Sequence, residues 1–106
     1  MSIRSLADIF QKAQKLKSGF SGVRERLASR RVEATSPDGR VRVVASGDKQ
    51  IVSIEMKPGL AAGNPSELQR LVEQTSNEAL KKAEALLKEE IDKTLGELGL
   101  NFPGLF

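Results

Sequence analysis

Any chemistry in this chain of 106 residues must come from lysine, arginine and carboxylates, because it contains neither histidine nor cysteine. Without cysteine there are no disulfides, zinc-thiolate sites or thiol nucleophiles. Without histidine the commonest general base and the commonest metal ligand are gone. The acids fall at helix-pairing positions rather than in a cluster, and Gly59 to Gly63 lacks the GxxxxGK[ST] pattern of a phosphate loop. An enzyme is the class least supported, and neither a cofactor nor a small-molecule substrate is expected.

The bases carry the signal. The net charge is only +3, yet from Met1 to Lys49 eleven bases stand against five acids, a net of +6. In the remainder six bases stand against nine acids, a net of −3. Such an asymmetry aims the first half of the chain, not the second, at a polyanion.

These bases need an element to position them. Ile3, Leu6, Phe10, Ala13, Leu16, Phe20, Val23 and Leu27 recur in seven steps over 24 residues. The mean spacing of about 3.4 is close to the 3.5 repeat that keeps an apolar seam facing a partner helix. The pattern predicts a first helix, capped at Ser2 or Ser5 with Asp8 at capping-box distance from Ser5. At 100° per residue Lys12, Lys15, Arg26 and Arg30 lie away from the seam, and Arg4 on its flank. A solvated face is the ordinary explanation of such a pattern. Here, however, the only acids in the helix are Asp8 and Glu25, and the bases continue into Arg30 and Arg31. Uncompensated like charge on one face costs stability, which favours a polyanion surface. Within the helix, Ser18-Gly19-Phe20-Ser21-Gly22 is a soft point, since each glycine costs about 1 kcal/mol against alanine. It marks a tolerated weakness, a close helix-helix approach or a hinge between a distal arm and a body.

Val32 to Met56 is the stretch that reads as sheet. Alternation at Arg40-Val41-Arg42-Val43 and Val52-Ser53-Ile54-Glu55-Met56, with breaks at Pro37-Asp38-Gly39 and Gly47-Asp48, predicts three antiparallel strands. They run roughly over Arg31–Ser36, Arg40–Ser46 and Gln50–Lys57. Val41, Val43 and Ala45 share one face; Arg40 and Arg42 share the other, where they either extend the basic surface or pair with Glu33 or Glu55. Lys57-Pro58-Gly59-Leu60 ends the third strand. Asn64-Pro65-Ser66-Glu67 opens a second helix, with Asn64 as cap, Pro65 first and Glu67 closing a box. That helix runs to about Thr94, with Leu68, Leu71, Val72, Thr75, Ala79, Ala83 and Leu86 along one side. Its outer face pairs Glu78–Lys82, Glu84–Lys88 and Glu89–Lys93 at i,i+4. The expected fold is α+β, α-β-β-β-α, with a three-stranded antiparallel sheet flanked by two long helices. One domain over 1–95 precedes a Gly-rich apolar tail, 96–106, which either tucks against the body or a partner subunit or remains disordered and adhesive.

A core of this size is modest, with four Phe and no Trp or Tyr, so a second copy is expected to supply buried area. Leu6, Phe10, Leu16 and Phe20 of the seam, with Val41, Val43, Val52 and Ile54 of the sheet, are the candidates for that interface. No apolar run of about 18 residues could cross a membrane, and MSIRSLADIF does not read as a signal peptide. A cytoplasmic protein without a membrane partner is expected.

Several short runs together resemble the YbaB/EbfC family of small bacterial nucleoid-associated proteins. They are Lys12-Ala13-Gln14-Lys15-Leu16, Gly39-Arg40-Val41-Arg42-Val43, Ile51-Val52-Ser53-Ile54-Glu55-Met56-Lys57-Pro58 and Leu68-Gln69-Arg70-Leu71-Val72. Asn77-Glu78-Ala79-Leu80-Lys81-Lys82-Ala83-Glu84 and the closing Leu-Gly-Leu and Pro-Gly complete the series, which covers nearly the whole chain. The resemblance implies a tweezer-like dimer with projecting helices and DNA binding of little or no sequence preference, hence a nucleoid location. Joined to the charge pattern, it points to double-stranded DNA. Arg4, Lys12, Lys15, Arg24, Arg26, Arg30 and Arg31, with Arg40 and Arg42, are the candidate phosphate contacts. Phe10 and Phe20 lie on the opposite side from these bases, so stacking of single strands is poorly supported. A protein-interaction scaffold using the apolar seam is the alternative, and RNA binding is a third.

Overall fold

The computed structural model describes residues 3–57 and 64–99. The loop at 58–63, the capping position Ser2 and the tail from residue 100 lie outside the described residues, as does the side chain of Arg4. In chain order the elements are α1 (Ile3–Phe20), α2 (Val23–Ser29), β1 (Arg31–Thr35), β2 (Val41–Ser46), β3 (Ile51–Met56) and α3 (Pro65–Glu97). The expected first helix is thus two helices. The break falls at Ser21-Gly22, where Ser21 donates from both its N–H and its hydroxyl to the Ser18 carbonyl, at 3.3 and 2.8 Å. Helix α1 begins at Ile3, which puts Ser5 inside the helix rather than at its cap.

The strands form one antiparallel sheet in the order β1-β2-β3. Arg31 faces Ser46 and Thr35 faces Arg42 across the first pair; Val41 faces Met56 across the second, with a register shift between Val44 and Ala45. The two turns differ in physical basis. The first is closed by the Gly39 N–H on the Ser36 carbonyl at 2.8 Å and braced by the Ser36 hydroxyl on Asp38 Oδ1 at 2.7 Å. In the second, Lys49 and not Gly47 takes the left-handed conformation, with φ of +66°. Gly47 is there for close approach: its N–H donates to the Leu27 carbonyl at 2.9 Å, and a Cβ would sit 2.7 Å from that same oxygen.

Helix α3 starts as expected, with Asn64 accepting from the Ser66 N–H at 2.9 Å and Pro65 leading. Glu67 does not close a box but reaches Arg40. The helix crosses β1 and β2 and meets β3 only at its margin. Ala34, Val41, Val43, Ala45 and Ala79 form the core cluster, flanked by Val32, Leu68, Leu71, Val72 and Leu80. Val41 and Val43 are wholly buried inside the single chain. That corrects their assignment to a dimer interface: alternation identified their face, but α3 already covers it. The outer strand β3 is the opposite case. Ile51, Val52, Ile54 and Met56 are all exposed, on both of its faces.

The first two helices run antiparallel to α3, with Gly19 against Leu98 and Arg26 and Arg30 beside Glu90. Leu16, Phe20, Val23 and Leu27 on one wall face Leu87, Ile91 and Leu95 on the other. Beyond Leu98 nothing among the described residues covers α1, and every side chain from Ser5 to Lys15 is exposed. Leu6, Ile9 and Phe10 are the large apolar residues along that stretch. Of the expected dimer residues, Leu6, Phe10, Val52 and Ile54 are therefore exposed, while Leu16 and Phe20 are half-buried against α3.

Candidate nucleic-acid interface

The charge pattern resolves into three groups. On α1, Lys12, Lys15 and Lys17 are exposed and form no ion pair among the described residues. Lys12 and Lys15 border one shallow depression of about 960 Å³ together with Asp8, Gln11, Gln14 and Leu98. Arg24, on the first turn of α2, is likewise exposed and forms no ion pair among the described residues.

The second group is built around Glu90 of α3, 7% exposed. Arg26 Nε lies 3.6 Å from one of its carboxylate oxygens and Arg30 Nη1 3.6 Å from the other. One carboxylate is shared by two half-exposed guanidiniums, so the cluster keeps a net positive charge and ties α2 to α3. Arg31 donates from Nη1 to the Ala28 and Arg30 carbonyls at 2.6 and 3.2 Å. Its cation thereby meets the carbonyl end of α2, where the helix dipole favours it.

The third group is neutralised. Arg42 pairs with Glu55 at 3.0 Å and with Glu33 on the other side. Arg40 pairs with Asp38 at 2.6 Å and with Glu67. Each guanidinium is bracketed by two carboxylates, leaving each cluster net negative. Both pKa values rise, for Arg42 first through the hydrogen bond to Glu33 and for Arg40 first through that to Asp38. Asp38 is held down to about 2, chiefly by the Ser36 hydroxyl, then by the backbone N–H and side chain of Arg40. The structure therefore separates Arg40 and Arg42 from the helical bases; Arg42 takes the expected cross-strand partners, whereas Arg40 pairs with Asp38 of its own turn and Glu67 of α3 instead.

Two features escaped the sequence reading. Glu90 sits in the acidic run Glu89-Glu90-Ile91-Asp92, which reads as solvated. Yet it lies 11 residues, about three turns, beyond Ala79 on the Thr75-Ala79-Ala83 stripe, and that spacing was the available signal. The expected pairs Glu78–Lys82, Glu84–Lys88 and Glu89–Lys93 do not close; Lys82 instead donates to the Glu33 carbonyl at 2.8 Å. Among the described residues no cluster of three or more carboxylates could hold a metal ion, and no helix is long and apolar enough to cross a membrane.

An α+β chain with a three-stranded sheet, a covering helix and a projecting basic helix is the class this geometry defines. The chain belongs to the YbaB/EbfC DNA-binding family, whose model matches residues 2–98. Among its relatives, a protein of Pelotomaculum thermopropionicum described as a nucleoid-associated protein is 37% identical over 96% of both chains. One of Acetivibrio thermocellus with the same description is 39% identical over 96% of this chain and 90% of its own. The fold is shared with the crystal structure of uncharacterized protein HP0035 from Helicobacter pylori. The TM-score is 0.63 at 21% identity, over 73% of this chain and 90% of that one.

Proposed function

We propose that this chain is a nucleoid-associated protein that binds double-stranded DNA as a homodimer, with little sequence preference, in the bacterial cytoplasm. The observation that carries this reading is the imbalance on α1 and α2. Among the described residues Lys12, Lys15, Lys17 and Arg24 have no ion-pair partner, and Arg26 and Arg30 share a single carboxylate. Of the candidate contacts, Lys12, Lys15, Arg24, Arg26, Arg30 and Arg31 are retained, and Arg40 and Arg42 are set aside. Backbone phosphates are the fitting ligand, because they attract bases without reading sequence. The homodimer is supported by β3, an uncovered edge carrying four exposed apolar side chains, which suits strand addition by a second copy.

The test is a mobility-shift titration with two unrelated duplexes of equal length at several salt concentrations. Equal affinity for both, with log K falling by about 0.9 per neutralised phosphate per unit of log salt, supports the reading. No binding at low salt sinks it. The exposed Leu6, Ile9 and Phe10 favour a second reading, a scaffold whose α1 receives a partner helix. Lys12→Glu with Lys15→Glu would abolish DNA binding but spare such a partner; Phe10→Ser would do the reverse.

A further inference from the structure

The sheet has two outer edges, β1 and β3, and they are finished differently. At the two ends of β1 the Gly47 N–H donates to the Arg30 carbonyl at 3.1 Å and the Ser36 N–H to the Val41 carbonyl at 2.8 Å. Antiparallel ladders alternate. Between these points Val32 and Ala34 therefore bond to β2, while Arg31, Glu33 and Thr35 turn their N–H and carbonyl groups outward. The same alternation, counted from the Lys57 N–H on the Arg40 carbonyl at 3.0 Å, turns Ile54 and Met56 outward on β3. Among the described residues no side chain is bonded to that outward backbone of β3. On β1 one is: Lys82 of α3 donates from Nζ to the Glu33 carbonyl at 2.8 Å, across 49 residues of sequence. Ala79 and Ala83, both wholly buried, let α3 lie close to the strands here, and Lys82 sits beside them on the exposed flank.

We infer that Lys82 closes the β1 edge against strand addition, and so selects β3 as the edge at which a second copy can extend this sheet. A strand arriving at β1 must hydrogen-bond the Glu33 carbonyl. To reach it, that strand must displace an ammonium from a charge-assisted bond and leave the charge over a newly desolvated edge. Native sheets use lysine in this way to keep edges from pairing. β3 carries no such obstacle, and its exposed Ile51, Val52, Ile54 and Met56 favour pairing. The consequence is a limit on growth. With two copies joined through β3, as proposed above, the continuous sheet runs β1-β2-β3-β3-β2-β1, and each of its ends is a β1 edge closed by Lys82. The stop at two copies rests on that reading. The closure of the edge does not, because it involves only Lys82 and Glu33 within one chain.

Sedimentation velocity of the full chain over a range of concentrations tests this. The parent should reach a plateau at two chains. Lys82→Met keeps the length of the stem but removes the ammonium, and should at least double the weight-average mass as concentration rises, with circular dichroism native. Lys82→Arg retains a donor and should behave as the parent. Adding Thr35→Pro to Lys82→Met should restore the parent mass, because proline removes an outward N–H and spares the ladder to β2. Amide hydrogen exchange reads the same edge should Thr35→Pro fail to fold: the Glu33 and Thr35 amides should be protected in the Lys82→Met assembly and open in the parent. A Lys82→Met chain with the parent's mass at every concentration overturns the inference. Growth that survives Thr35→Pro, or that leaves those two amides open, overturns it too, by assigning the contact to another surface. A monomeric parent refutes pairing through β3 instead, and the comparison of parent with Lys82→Met still decides the role of Lys82.

Discussion

Asp38 is a surface carboxylate whose titration is set by its neighbours rather than by burial. The Ser36 hydroxyl, the Arg40 backbone N–H and the Arg40 guanidinium all favour its charged form, lowering its pKa from 3.8 to about 2. A depressed folded-state value means that its contribution to stability is complete above the unfolded value near 3.8 and is lost as pH falls through about 2. Asp38→Asn should therefore lose stability relative to the parent at neutral pH and match it at the acid end, in denaturant titrations at several pH values. Glu90 calls for a different expectation. Its carboxylate holds two arginines that the proposed function needs for phosphate. Glu90→Gln should cost about 1 kcal/mol through unrelieved repulsion between the guanidiniums. The same change should tighten DNA binding and steepen its salt dependence, because two cations are freed. Lys12→Gln or Lys15→Gln should instead lower the salt slope by about 1 each, equally for any duplex sequence.

At the scale of elements, the sequence displayed the sheet well because its signals are local. Pro37-Asp38-Gly39 marks a turn by composition, and Val41, Val43 and Ala45 declare a buried face by alternation. What covers a face is a tertiary fact that alternation does not encode. Hence the two valines assigned to a second copy proved to lie under α3, whereas Val52 and Ile54 remained exposed. The glycines at 19 and 22 advertised a weak point, but the helix ends outright at Phe20. Gly47 is the turn residue it looked like and also a contact point with α2. Gly47→Ala should destabilise the fold by about 1–3 kcal/mol, since the obstructing Leu27 oxygen is backbone and cannot rotate aside. Val43→Ala, which removes two buried methyl groups beneath α3, should cost about 2 kcal/mol in the same unfolding assay.

For the whole molecule, the arrangement concentrates cation on the first two helices and leaves the apolar edge of β3 bare. If that edge pairs with a second copy, Val52→Lys with Ile54→Lys should halve the mass measured by sedimentation equilibrium. DNA affinity should fall with it, because each dimer presents two basic arms. The candidate site was legible in the sequence as a charge imbalance. The pairing of Arg42 with Glu33 and Glu55 was legible as one of two alternatives, but the neutralisation of Arg40 was not, because Glu67 lies 27 residues away.

The uncovered length of α1 has a thermodynamic consequence. From Ser5 to Lys15 no side chain is buried, and lone helices of fewer than about 12–15 residues are marginal in water. That arm must draw its order largely from intrinsic propensity, which fades on warming. Anchoring its lysines on phosphate would then couple association to a helix–coil equilibrium. Far-ultraviolet ellipticity should grow more negative when duplex is added, and the gain should be larger at warm temperature than near freezing. The binding enthalpy should turn more exothermic over the same range, a calorimetric signature that a rigid basic surface would not produce.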